Sequence, residues 1–208
     1  MKLEDKLAGG TQYRDFAALE PQEEMVVEGY ATTFDSPYLL WRDGEYEVWE
    51  KVDRNAFNEA NMSDVVMQYN HEGRVFARNS NGTLTLNADE HGLHIRAVLG
   101  GTELGRQLYE EIKGGYTNKM SFGFTVAEDK QEIVEEGNSV RITRTMLKIG
   151  RVYDVSAVSI PANDGTNISA RAFGVECVNA VAEEFRKRDE RKAQIERIKA
   201  LTEVSYGE

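Results

Sequence analysis

From residue 24 to residue 163 the sequence keeps returning to alternation at every second residue, and only once in that stretch does a long run settle into a helical period. A run of period two has one apolar face as a strand and none as a helix. On this ground "EMVVEGYATTFD" (24–35), "GEYEVWEKV" (44–52) and "DVVMQYN" (64–70) read as strands. "NGTLTLNADEHGLHIRAVL" (81–99) reads as a hairpin. Leu84 and Leu86 alternate with Thr83 and Thr85, a turn falls at 88–92, and Leu93, Ile95, Ala97 and Leu99 resume the pattern. "NKMSFGFTV" (118–126) is another strand. "VRITRTMLKI" and "RVYDVSAVSI" are two more, split by Gly150 and stopped by Pro161. The acidic "AEDKQEIVEEGNS" before them reads as a loop.

The helical exception is "GTELGRQLYEEIKGG" (101–115). Thr102 can cap it, Leu104, Leu108 and Ile112 share a face, and Gly114 ends it. Asp53 can cap a second, short helix through "RNAFNEAN". About seven strands against one strong central helix predict a β-rich α+β fold, a bent antiparallel β-barrel with peripheral helices. Residues 1–22 are polar and read as a loose, flexible lead-in, so the barrel domain is 23–174. From 175 onward "ECVNAVAEEFRKRDERKAQIERIKAL" contains neither glycine nor proline, and apolar residues flank a charged middle at helical spacing. That predicts a charged helical tail over 175–208.

Composition removes several functions. The net charge is −11, which disfavours gripping a phosphate backbone through bulk charge. No apolar run approaches the ~20 residues of a membrane helix, and "MKLEDKLAGG" has charges where a secretion signal needs an apolar stretch. A soluble intracellular protein is expected, with no nucleic-acid or membrane partner. The single cysteine, Cys177, allows neither an internal disulfide nor a cysteine-based zinc site. His91 and His94 look like a metal pair, but at i, i+3 on a strand they point to opposite faces. Neither a metal nor a cofactor is expected.

Ser121 and His71 are the remaining chemistry. In "KMSFGF" Ser121 lies mid-strand, and Gly123 beside it allows close approach of a backbone or a substrate. A serine hydroxyl becomes a nucleophile only beside a base. His71, at the end of another strand in "YNHEGRVFAR", could supply one, although a buried filler or a metal ligand fits the same position. Such a base needs a third group to orient it. Asp154 offers a carboxylate inside the otherwise apolar "VYDVSAVSI", on a face shared with Val152, Ser156 and Val158. The competing reading of Asp154 is a strand-edge acid paired with Arg151 or Arg144.

Six segments in this order resemble the prohead (procapsid maturation) proteases of tailed bacteriophages, relatives in fold of the herpesvirus assemblin proteases. They are "EGYATTFD" (28–35), "EKVDRNAFNEA" (50–60), "VVMQYNHEGRVFAR" (65–78), "GTLTLNADEHGLHIRAVL" (82–99), "LYEEIKGGYTNKMSFGF" (108–124) and "VYDVSAVSIPAN" (152–163). The resemblance implies a herpesvirus-protease-like barrel and a serine endopeptidase. His71 would be its base, Ser121 its nucleophile and Asp154 its third catalytic group. Arg74, Arg78 and Gly123 become candidates for the oxyanion site or substrate cleft. The resemblance also implies phage scaffold and major capsid protein as partners, self-cleavage, and a homodimer or higher oligomer. The setting would be the assembling procapsid in the host cytoplasm, encoded by a phage or by a prophage. A non-enzymatic capsid-assembly protein with the same barrel is the alternative.

Overall fold

The computed structural model describes residues 12–21, 25–137, 139–159 and 168–205. Eleven strands and two helices appear among them. β1 (Gln12–Ala18) and β2 (Glu20–Pro21) lie inside the segment expected to be a loose lead-in. β3 (Val26–Thr33), β4 (Tyr38–Asp43), β5 (Tyr46–Val52), β6 (Val66–Tyr69) and β7 (Glu72–Arg78) follow. The hairpin β8 (Leu84–Ala88) and β9 (Gly92–Val98) leads into α1 (Glu103–Lys113), and β10 (Lys119–Glu136), β11 (Ser139–Val158) and α2 (Ile168–Ser205) complete the order.

The strands form two sheets rather than a closed barrel. One runs β1-β10-β11-β5-β4, with β6 on β11 and β7 on β6; the other runs β2-β3-β9-β8. Nor is the pairing wholly antiparallel. The first half of β11 lies parallel to β5 (Val140↔Tyr46 through Met146↔Val52), and its last part lies parallel to β6 (Asp154↔Val66 through Ala157↔Tyr69). Parallel neighbours need long crossovers, and β7, the β8–β9 hairpin, α1 and β10 occupy the chain between β6 and β11. One core, with Val27, Ile95, Phe122, Phe124, Val155 and Ala157 among its fully buried members, fills the space between the sheets.

The expected acidic loop continues β10 into a long ribbon with β11, paired out to Glu136↔Ser139. Most of its charges sit on exposed positions, where a two-stranded ribbon leaves them hydrated, while Asp129 turns in to Arg144. Gly150 does not split β11. A Cβ there would meet Thr125 Oγ1 at 3.2 Å, so the glycine fits where the ladder to β10 shifts register at Thr125/Val126. The expected short helix after Asp53 is a chain of turns. Asp53 Oδ1 takes the Asn55 amide at 2.9 Å, and i→i+3 bonds follow at Ala56, Asn58 and Ala60. That segment instead gives the Ala56 carbonyl to Ile149 and takes Gly150 oxygen at the Asn61 amide.

α1 forms where its capping and spacing predict, although Leu104 of its expected apolar face is 37% exposed. Thr102 Oγ1 accepts the Gly105 amide at 2.9 Å, and Leu108 and Ile112 are buried. α2 begins at Ile168, before the expected tail boundary at 175, and runs through it unbroken. Its Cys177 and Val181 are buried against Leu40, Val48, Val140 and Ile142 of β4, β5 and β11. Among the described residues no helix is long and apolar enough to cross a membrane.

Candidate active site

β6 and β7 meet through a two-residue turn, Asn70-His71, with Tyr69 facing Glu72. Both turn residues have positive φ, 51° and 62°. Two central residues at positive φ match the backbone twist of a hairpin, which is why asparagine and glycine dominate such turns. Asparagine and histidine are both enriched among the non-glycine residues that enter this region, but each adopts it at a cost in backbone strain. The turn is held from outside. The Asn70 amide donates to Ala157 oxygen at 2.9 Å, and the Ser159 amide donates to Asn70 Oδ1 at 3.0 Å. His71 is thus tied to the end of β11 and does not end a strand.

The ladder between β10 and β11 sets the facing groups. Ser121 lies directly opposite Ser156, and Gly123 opposite Asp154. Opposed residues and residues two apart project from the same face, so Ser121, Asp154 and Ser156 share one side of the sheet. Gly123 lies on the same face without a side chain. Past Asp154 the register slips, with Phe124 paired to Val152. Tyr153 is the extra residue of a bulge and is 37% exposed. The bulge moves Val152 to the interior core with Val155 and Ala157, away from the face of Asp154 on which alternation had set it.

Over that face the imidazole of His71 joins two groups. Its Nε2 lies 2.7 Å from Ser121 Oγ and its Nδ1 lies 2.6 Å from Asp154 Oδ1. A carboxylate only accepts, so Nδ1 carries the proton toward Asp154, and Nε2 is left to accept from the serine hydroxyl. Ser156 Oγ donates to the same Asp154 Oδ1 at 2.7 Å. The His71 side chain is 18% exposed and that of Asp154 6%, while Ser121 is wholly buried.

The arginine partners considered for Asp154 are engaged elsewhere. Arg144 binds Glu50 and Asp129, and Arg151 lies over the Tyr153 ring. Arg78 forks onto Asp64 with two contacts of 2.6 Å at the end of β7 remote from the turn. Those hydrogen bonds hold the Asp64 carboxyl below its usual range. Arg74 is exposed on β7, three residues beyond His71. His91 lies 3.5 Å from Glu90, and His94 stands edge-on to Tyr30. A cleft of about 180 Å³ separates the β6–β7 hairpin from α1, lined by Tyr69, Phe76, Leu104, Gln107, Leu108 and Glu111.

Two contributors escaped sequence reasoning. Ser156 was visible as a same-face neighbour of Asp154, but nothing in the sequence marked its hydroxyl as bound to the carboxylate. Asn70 was visible as a turn former, but Asn-His is not the Asn-Gly pair that announces a hairpin.

Hydroxyl, imidazole and carboxylate joined in series is the arrangement by which serine hydrolases are recognised, whatever the chain order of its members. The chain belongs to the caudovirus prohead serine protease family, whose model matches residues 14–181. Its role is that of a protease of capsid maturation. A solved structure of the bacteriophage T4 capsid assembly protease, gp21, is similar to this chain at 11% identity and a TM-score of 0.41. The match covers 73% of this chain and 98% of that one. No curated protein matches the chain.

Proposed function

We propose that this chain is an active serine endopeptidase that cuts scaffold and major capsid protein segments inside the procapsid, in the host cytoplasm, and also cuts itself. The observation that carries the reading is the serial contact at 2.7 Å and 2.6 Å through the His71 ring. Ser121 Oγ attacks the scissile carbonyl carbon as its proton passes to His71 Nε2. Asp154 stabilises the imidazolium so formed and keeps the ring oriented. The tetrahedral intermediate collapses as His71 returns that proton to the leaving amine. Water then repeats the sequence against the acyl-enzyme and frees Ser121.

Arg74 is the better of the two candidate arginines for the oxyanion, because Arg78 is held by Asp64. Ser121 has no exposed surface in this conformation, so substrate entry requires a local opening beside the serine. The herpesvirus-protease-like fold, as two sheets around one core in place of a closed barrel, remains part of this reading. It rests on the resemblance and on the single core that both sheets enclose.

Co-expression with the major capsid protein tests the function. The wild type trims the capsid protein, and Ser121→Ala leaves it at full length. Equal trimming by both removes Ser121 from the mechanism. A capsid protein intact with both favours the non-enzymatic assembly role.

A further inference from the structure

We propose that Ser156 is a positioning residue of this site, whose hydroxyl fixes the Asp154 carboxylate in the orientation that His71 requires. The inference rests on the reading of Asp154 as the third catalytic group. Ser156 is fully buried, and its Oγ donates to Asp154 Oδ1 at 2.7 Å. The His71 Nδ1 contact, at 2.6 Å, goes to that same oxygen. One carboxylate oxygen therefore takes two donors from two different elements, the β6–β7 turn and β11 itself.

The need for a second donor follows from the torsion of aspartate. Its last side-chain angle has a broad, roughly two-fold profile, so a single hydrogen bond from one ring nitrogen leaves the carboxylate plane loosely set. Asp154 is the first paired residue after the bulge at Tyr153, opposite Gly123 and beside Val66, so the regular ladder supports it from its C-terminal side only. Ser156 stands two residues on, in regular register opposite Ser121 and beside Gln68 of β6. A donor on that rigid segment pins Oδ1 where Nδ1–H can reach it. The pinned oxygen keeps the ring in the tautomer that leaves Nε2 to accept from Ser121. Hydrogen bonds to an ionised carboxylate are shorter and stronger than neutral ones, and they also offset the cost of burying its charge.

A packing role makes a different prediction, and three substitutions of Ser156 separate the two. Ser156→Ala removes the donor. Ser156→Cys keeps the shape but offers only a weak S–H donor. Ser156→Thr keeps the hydroxyl. Each full-length variant is assayed on fluorescein-labelled casein for kcat and KM, and by proton NMR for the downfield Nδ1–H resonance of His71. The expected result is a loss on the order of tenfold in kcat for Ala and Cys alike, the worth of one charge-assisted hydrogen bond, with KM unchanged. The His71 resonance shifts or broadens in both, and Thr restores rate and resonance. Cys behaving as wild type, or the resonance unmoved in Ala, overturns the proposal and leaves the catalytic reading standing. Asp154→Asn cleaving at the wild-type rate overturns both together. Casein left uncut by the wild type counts against the catalytic reading alone, because the resonance still decides the role of Ser156.

Discussion

Two polar clusters are buried along the same pair of strands, β10 and β11, and they differ in what their charges can do. Around Ser121 and Asp154 there is one carboxylate, one imidazole and two hydroxyls, with the imidazole reaching the surface. Farther along the ribbon, Glu50 takes Arg14 Nη2 at 2.9 Å, Arg144 Nη1 at 2.8 Å and the Tyr38 hydroxyl at 2.8 Å. Arg144 also binds Asp129, and Gln12 bridges both arginines. The arginines and Glu50 are at most 2% exposed. In the second cluster each charge meets an opposite fixed charge, so no proton has reason to move. In the first the carboxylate faces a ring that can take up and release a proton, which is the condition for acid–base chemistry. Burial of polar groups alone therefore does not identify a reactive site; the partner does.

The largest effect that would break this comparison lies at the first cluster. His71→Ala and Asp154→Asn should each lower kcat by on the order of 10⁴, the loss seen when the carboxylate of a trypsin-type triad is neutralised. Thermal melting should show both variants folded. An Asp154→Asn enzyme within a few-fold of wild type beside an inactive His71→Ala would reduce the site to a serine–histidine pair. The second cluster should respond in the opposite sense. Glu50→Gln leaves two buried arginines short of a counter-charge and should cost about 3–5 kcal/mol in urea unfolding. Its cleavage rate per folded molecule should stay close to wild type, and a loss comparable to that of His71→Ala would join the two clusters functionally.

The turn at Asn70-His71 shows where sequence reading worked and where it stopped. The resemblance singled out Ser121, His71 and Asp154 as candidates, and the strands β3, β5, β6, β8 and β9 and the capped helix at Thr102 follow from alternation and capping, both local in the chain. The ionic cluster does not. Arg14, Glu50 and Arg144 come from β1, β5 and β11, and nothing near any one of them in sequence reveals the others. Arg14 also belongs to a stretch that looked unstructured because its strand pairs only with β10, more than a hundred residues later. The bulge at Tyr153 was hidden for the same reason: it exists only as a mismatch between two strands.

A smaller effect is pH-dependent. Burial opposes the ionisation of Glu50, but the charges and hydrogen bonds of Arg14 and Arg144, with the Tyr38 hydroxyl, outweigh it and bring its carboxyl to about 2 from 4.5. A depressed carboxyl contributes stability that is complete above the unfolded value and lost as protons bind the folded form. The urea midpoint of the wild type should therefore fall between pH 4.5 and 2 more steeply than that of Glu50→Gln. Parallel curves would show that Glu50 does not carry the acid response. The smallest effect concerns the other buried nucleophile type. Burial pushes the Cys177 thiol up to about 12, so iodoacetamide at pH 8 should leave it unmodified in the native chain and alkylate it in urea.

Labelling with a fluorophosphonate, read by peptide mass spectrometry, tests the central claim most directly, because phosphonylation needs an activated serine and no particular substrate. The wild type should carry the adduct on Ser121, and His71→Ala should carry none. An adduct on another serine, no adduct on Ser121, or equal labelling of Ser121 with and without His71 would contradict the account.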